Sequence, residues 1–178
     1  IDAAPWQPYR RTDQWVAVDE AQWLPPSPAS KIVAIGQNYR KHAQEMGKAI
    51  SEEPLIFLKP STALNAHESA IVLPAASHEV HHEAELGLVI GKRLTKASED
   101  EARGAIFGLT CANDVTARDI QRREIQHTRA KSYDTFACCG PFIQTDLSFD
   151  DLRVVARVNG VVRQDGRTSD MVHSPARL

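Results

Sequence analysis

His81-His82-Glu83-Ala84-Glu85-Leu86-Gly87-Leu88-Val89-Ile90-Gly91 is the stretch on which the reading of this chain turns. Val80, Ala84, Leu86, Leu88 and Ile90 are apolar at even positions, His82 interrupting the series, which predicts a strand over Glu79–Ile90 with one face in the core. Glu83 and Glu85 are two residues apart and therefore share the opposite face. Two carboxylates held side by side are costly unless a cation lies between them or one of them takes a proton. An oxygen-only pair suits a hard ion such as Mg2+ or Mn2+ better than zinc. For an isolated Glu-x-Glu the competing reading is a solvated strand face, so the weight falls on what surrounds it.

The chain has 178 residues and a formal net charge of −2, enough for one core or one domain with a small appendage. That near-neutral charge gives no electrostatic case for nucleic acid, and no basic run suggests a membrane surface. No apolar run approaches the ~18 residues of a membrane span. The N-terminus shows no basic region followed by an apolar one, so no signal peptide is expected. Cys111, Cys138 and Cys139 are odd in number, two of them adjacent; this is a poor disulfide framework and fits a reducing, cytoplasmic setting.

Residues 1–30 hold all three tryptophans and end in Pro25-Pro26-Ser27-Pro28, which reads as a short N-terminal segment and a stiff linker. The main domain is expected over residues 31–178. Lys31–Ile35 predicts its first strand, and Asn38–Gly47 a short helix stopped by glycine. Leu55–Leu58 and Ala70–Leu73 predict strands closed by prolines, and Ala105–Ala112 another. Ser98 is placed to cap a helix with acidic residues in its first turn, and Ala117–Glu124 predicts a second helix. Val154–Val158, Asn159-Gly160 and Val161–Gln164 have the signature of a tight hairpin. Ser174-Pro175 predicts a helix start that the chain, ending at Leu178, does not carry past one turn, so a C-terminal part of the domain is expected to be missing. The class is mainly β with peripheral helices (α+β).

Three further groups could carry chemistry. Asp114 follows the Ala105–Ala112 run and precedes a helix; it either completes a three-carboxylate site with Glu83 and Glu85 or caps that helix. Lys131 could polarise an oxyanion beside a carboxylate-bound metal, or be one more solvated lysine. His42 and Glu45, three apart, would share a helical face, where a carboxylate can orient an imidazole as a general base; the plain alternative is an exposed pair. His81 shares the face of Glu83 and Glu85 and is expected to support the site rather than ligate directly. Cys138 and Cys139 have no adjacent histidine and read as structural thiols.

Taken in order, Gly36-Gln37-Asn38-Tyr39, His42-Ala43-Gln44-Glu45-Met46, Phe57-Leu58-Lys59-Pro60-Ser61-Thr62, His81 to Leu86, Asn113 to Gln121, Lys131-Ser132-Tyr133-Asp134, Gly140-Pro141 and Val158-Asn159-Gly160 resemble the fumarylacetoacetate hydrolase family over residues 31–178. The resemblance implies a β-roll of strongly curved mixed sheets, usually a homodimer, with Mg2+ or Mn2+ held by Glu83, Glu85 and Asp114. It implies Lys131 as the electrophilic lysine, and Arg118 and Gln121 as residues that line or order the substrate pocket. His42 and Glu45 match the dyad on a closing lid in the acylpyruvase-like branch, whose members cleave acylpyruvates and decarboxylate oxaloacetate. The expected reaction is therefore metal-dependent hydrolysis of a 2,4-dioxo acid to pyruvate and a carboxylic acid, on a small-molecule 2-oxo acid substrate. An isomerase or decarboxylase of a 2-oxo-heptene-dioate in aromatic catabolism is the alternative, and a non-catalytic dicarboxylate-binding domain comes third.

Overall fold

A computed structural model of the chain describes residues 7–8, 12–41 and 51–178. Among these, strands run β1 (Ile32–Gly36), β2 (Leu55–Lys59), β3 (Leu64–Asn65), β4 (Val80–His81), β5 (Ala84–Ile90), β6 (Ile106–Asp114), β7 (Thr116–Ala117), β8 (Ala137–Cys139), β9 (Arg153–Val158) and β10 (Val161–Arg167). The helices are short: α1 (Glu99–Arg103), α2 (Arg118–Arg123) and α3 (Thr128–Lys131). No helix among the described residues is long and apolar enough to cross a membrane.

The expected strand over Glu79–Ile90 forms, but in two pieces. β4 pairs antiparallel with β7, Val80 opposite Ala117; β5 pairs antiparallel with β6, Ala84 opposite Asn113. The two pairings share one register, so the gap at His82–Glu83 faces Asp114–Val115. Cross-strand neighbours in an antiparallel pair point to the same side. This register therefore sets Asp114 against Glu83, with Glu85 one pleat along.

β6 is the hub of a four-stranded mixed sheet ordered β3-β8-β6-β5, with β3 and β8 parallel and the other pairs antiparallel. Its backbone also exchanges two hydrogen bonds between Leu109 and Gln144, of 2.9 and 2.8 Å. Gly108 permits that approach: a Cβ there would lie 2.5 Å from Ile143 Cγ2 and 2.7 Å from the Gln144 carbonyl oxygen. β3 and β8, two and three residues long, are too short for periodicity to reveal.

The hairpin of β9 and β10 turns at Asn159 and Gly160, with φ of 51° and 79°, as Asn-Gly requires. Ser98 closes a capping box with Glu101 on α1, again as expected. Ala70–Leu73, by contrast, is not a strand. Ile71, Val72 and Leu73 are exposed, and the segment is tied down by single bonds, Val72 N–H to Thr135 Oγ1 at 2.8 Å and Asn65 Nδ2 to the Ala70 carbonyl at 3.1 Å. Apolar β-branched composition without a ladder partner does not make a strand. The run after Ser174 is a turn, closed by Arg177 N–H on the Ser174 carbonyl at 3.0 Å, where a helix start was expected. Upstream, Trp23 sets its ring edge against His67 and Phe142, both at 5.5 Å.

The apolar centre joins Val115, Ala117, Ile120, Ala130 and Phe136, with Val80, Tyr133 and Cys138 packed against it. It gathers β7, α2 and α3, the elements that flank the break in the Glu79–Ile90 ladder. Phe136 is fully buried, and its ring meets Tyr133 edge-on at 5.4 Å. Phe136→Ala is expected to cost about 3–5 kcal/mol, because the cavity it leaves lies among packed neighbours. A chemical denaturation curve measures this; a loss below about 1 kcal/mol would show that the centre collapses around the gap.

Candidate metal centre and active site

The two strand pairs deliver three carboxylates to one place. Glu83, Glu85 and Asp114 each offer an oxygen within 4.8 Å of the others. Asp114 is buried, its side chain 6% exposed, and Glu83 is at 23%. The backbone fixes the pair: Glu83 N–H donates to Asn113 Oδ1 at 2.9 Å, and Asp114 N–H to the Glu83 carbonyl at 2.9 Å.

Two buried lysines enter the same cluster. Lys131 Nζ donates to Asp114 Oδ2, to Glu83 Oε2 at 2.8 Å and to Thr116 Oγ1 at 2.8 Å. Lys59 Nζ donates to Asp114 Oδ1 and to the Phe136 carbonyl at 2.8 Å. Burial pushes the Lys59 ammonium below the ordinary lysine value, with Asp114 working against that shift. Lys59 stands within Phe57-Leu58-Lys59-Pro60-Ser61-Thr62, a stretch that carries the family resemblance, but the sequence alone assigns this lysine no role. Its alternation with Phe57 on the inward face of β2 was the available signal.

Arg118 opens α2 and bonds Glu83 Oε1 at 2.5 Å through Nη2 and Gln121 Oε1 at 2.5 Å through Nη1. Gln121 continues the chain of contacts to His127 Nδ1 at 3.3 Å. Burial opposes ionisation of Glu83, but the Lys131 and Arg118 cations outweigh it and hold the carboxyl below its usual range. Glu85 is in the opposite position. Burial, then the Asp114 and Glu83 charges, push its carboxyl up to about 8.

The choice left open for Asp114 is resolved: α2 is preceded by Ala117 without a side-chain cap, and the Asp114 carboxylate is taken by the two lysines. Lys131 is buried, not solvated. His81 turns to Glu79 at 3.3 Å and to Arg118 Nε at 3.4 Å, bordering the cluster without joining its three carboxylates. Cys138 and Cys139 lie on β8, where burial pushes both thiols up, as suits structural cysteines. His42 and Glu45 lie outside the described residues. The segment leading to them is anchored: the side chain of Asn38 pairs with the His173 backbone at 3.0 and 2.8 Å, and Lys41 meets Asp170 at 3.0 Å.

The donor set fits a hard divalent ion. It is all oxygen, with no imidazole or thiolate in the cluster. Glu85, whose ionisation burial and its neighbours oppose, accepts no hydrogen bond from any described donor, and such a group is expected to have a cationic partner.

Residues 31–178 match the family model described as fumarylacetoacetate (FAA) hydrolase C-terminal. The chain superposes on the structure of a 5-carboxymethyl-2-hydroxymuconate delta-isomerase from Mycobacterium smegmatis with a TM-score of 0.84 and 44% identity, covering 93% of this chain and 66% of that one. It matches a 2-hydroxyhepta-2,4-diene-1,7-dioate isomerase from Mycobacterium marinum with a TM-score of 0.87 and 39% identity, over 98% of this chain and 66% of that one. It is also 40% identical over 163 residues to the oxaloacetate tautomerase YisK of Bacillus subtilis, covering 86% of this chain and 53% of that protein. The chain spans less than two thirds of the length of the curated relatives it matches at 45–46% identity.

Proposed function

The chain belongs to the fumarylacetoacetate hydrolase family, and from that premise we propose that it carries a divalent-cation site for the enolate chemistry of a small 2-oxo acid. The observation that supports this is the meeting of Glu83, Glu85 and Asp114 within 4.8 Å, with the Lys131 ammonium on two of them. Glu83, Glu85 and Asp114 would hold Mg2+ or Mn2+. Bound there, the cation would supply Lewis-acid stabilisation of negative charge on the oxygens of the substrate.

The residues of the chain do the rest. Lys131 Nζ is held beside Glu83 and Asp114 by three acceptors, so it is already in place, and it would reach an oxyanion that develops there by exchanging one of those acceptors for the substrate oxygen. Arg118, itself bonded to Gln121, keeps Glu83 oriented, and the two offer cationic and amide donors for a polar group of the substrate, a second carboxylate where the substrate is a dioate. In the hydrolytic reading, His42 takes a proton from water with Glu45 orienting the imidazole. That water adds to the distal carbonyl of a 2,4-dioxo acid, and the carbon–carbon bond breaks. Pyruvate departs as its enolate and is then protonated; the acyl group leaves as a carboxylic acid. Keto–enol isomerisation of a 2-oxo dioate is the second reading. It is favoured by the similarity to the oxaloacetate tautomerase, the 5-carboxymethyl-2-hydroxymuconate delta-isomerase and the dioate isomerase, and it needs enolate stabilisation and a proton transfer but no activated water.

The test uses the full-length protein with acetylpyruvate and Mg2+, with and without a chelator. Chelator-sensitive release of pyruvate is expected. Absence of pyruvate, with chelator-sensitive enol–keto conversion of oxaloacetate in the same preparation, would select isomerisation. Neither activity from folded, Mn2+-loaded protein would overturn both readings.

A further inference from the structure

We propose that Gln164 is a positioning residue for the metal centre, acting through the backbone of Ala84 to set the carboxylates on either side of it. The inference rests on the metal reading above. Its ground is the geometry of an edge strand. In an antiparallel pair, successive residues turn their N–H and C=O groups alternately toward the partner and away from it. Glu83 faces β6, through Asn113 and Asp114. Ala84 comes next and turns its backbone outward, and β5 is the last strand of its sheet.

At that open edge Ala84 meets a side chain 80 residues away. Ala84 N–H donates to Gln164 Oε1 at 2.8 Å, and Gln164 Nε2 donates to the Ala84 carbonyl at 2.5 Å. A primary amide used in this way replaces one rung of a strand ladder. Gln164 reaches Ala84 from β10, at the point where the register of the β9–β10 hairpin slips between Val162 and Gln164. A bulge of this kind re-aims a side chain. Regular pairing lapses beside Ala84, at His82–Glu83, so the backbone carrying the carboxylates has fewest ladder bonds where Gln164 clamps it. Rotation of either peptide plane of Ala84 would swing Glu83 or Glu85 out of the cluster. A primary amide sets a donor and an acceptor side by side, as a peptide does; asparagine is one methylene short of this reach, and an ionised glutamate has no donor.

The experiment is a Mn2+ titration of the full-length protein, with free Mn2+ followed by electron paramagnetic resonance, alongside thermal unfolding of the metal-free protein. Gln164→Met keeps the bulk and removes both hydrogen bonds. It is expected to weaken Mn2+ binding by about 10–100-fold, the range seen when groups orienting metal ligands are removed. Gln164→Glu keeps the acceptor for Ala84 N–H but sets a second oxygen against the Ala84 carbonyl, and should also weaken Mn2+ binding. Asp165→Asn weakens the Arg153–Asp165 pairing of the same hairpin, at 2.9 and 2.6 Å, and should leave Mn2+ affinity unchanged. Unchanged affinity in Gln164→Met would overturn the proposal, as would equal losses in Gln164→Met and Asp165→Asn, which would reduce Gln164 to a hairpin brace. Failure of the unsubstituted protein to bind Mn2+ would instead overturn the metal reading itself.

Discussion

Asp114→Ala will destabilise the metal-free protein by about 3–5 kcal/mol, the cost of stripping a buried cation of its partner. For a chain of this size that is a fall in unfolding temperature of roughly 6–20 °C. Asp114 is the only described carboxylate bonded to Lys59, and it also binds Lys131; both lysine side chains are 3% exposed or less. After the substitution Lys59 keeps only the Phe136 carbonyl, while Lys131 retains Glu83 and Thr116. The charge left unpaired is therefore mainly that of Lys59. Adding Lys59→Met to Asp114→Ala removes that charge and should recover a large part of the loss, since deleting both partners of a buried pair is far cheaper than deleting one. Differential scanning calorimetry of the single and double variants measures the coupling. If the double variant is no more stable than Asp114→Ala alone, the pairing of Lys59 with Asp114 is not what holds this region together.

The same residues show what a linear reading can and cannot reach. The alternation from Val80 to Ile90 is local, so the strand and the shared face of Glu83 and Glu85 were legible, as was the Asn159-Gly160 turn. The break at His82–Glu83 was not, because it depends on the partner changing from β6 to β7 across from it. Asp114 followed by a helix looks the same whether it caps that helix or faces a glutamate thirty-one positions earlier; cross-strand register decided between them. Lysine burial is less legible still. Lys59 and Lys131 lie inside because each meets Asp114 there, and neither its neighbours nor its spacing records that partner. Gln164 belongs to the same class. A glutamine in a hairpin strand reads as surface until its amide is found completing a distant strand edge. Ala70–Leu73 erred the other way: the composition was right for a strand, and the described structure provides no neighbour for it to pair with.

Glu83→Ala separates the chemistry of the site from its stability. In the full-length protein it is expected to lower metal-dependent turnover by at least about 100-fold, since disturbing groups that merely orient a metal ligand already costs 10–100-fold in metal affinity or activity. The fold should survive, for reasons visible in the partners. Glu83 is bound into the sheet by its backbone, to Asn113 and Asp114, and those bonds do not need its side chain. Lys131 keeps Asp114 and Thr116, and Arg118 keeps Gln121, so no buried cation loses its last partner. The contrast with Asp114→Ala is the test: Glu83→Ala should lose less stability and nearly all metal-dependent activity. Mn2+ titration, calorimetry and a turnover assay on the same preparations measure the three quantities. Retained chelator-sensitive turnover in Glu83→Ala would remove this carboxylate from the metal site. Loss of turnover with Mn2+ affinity intact would move Glu83 from holding the ion to holding Lys131 and Arg118 in place for the substrate.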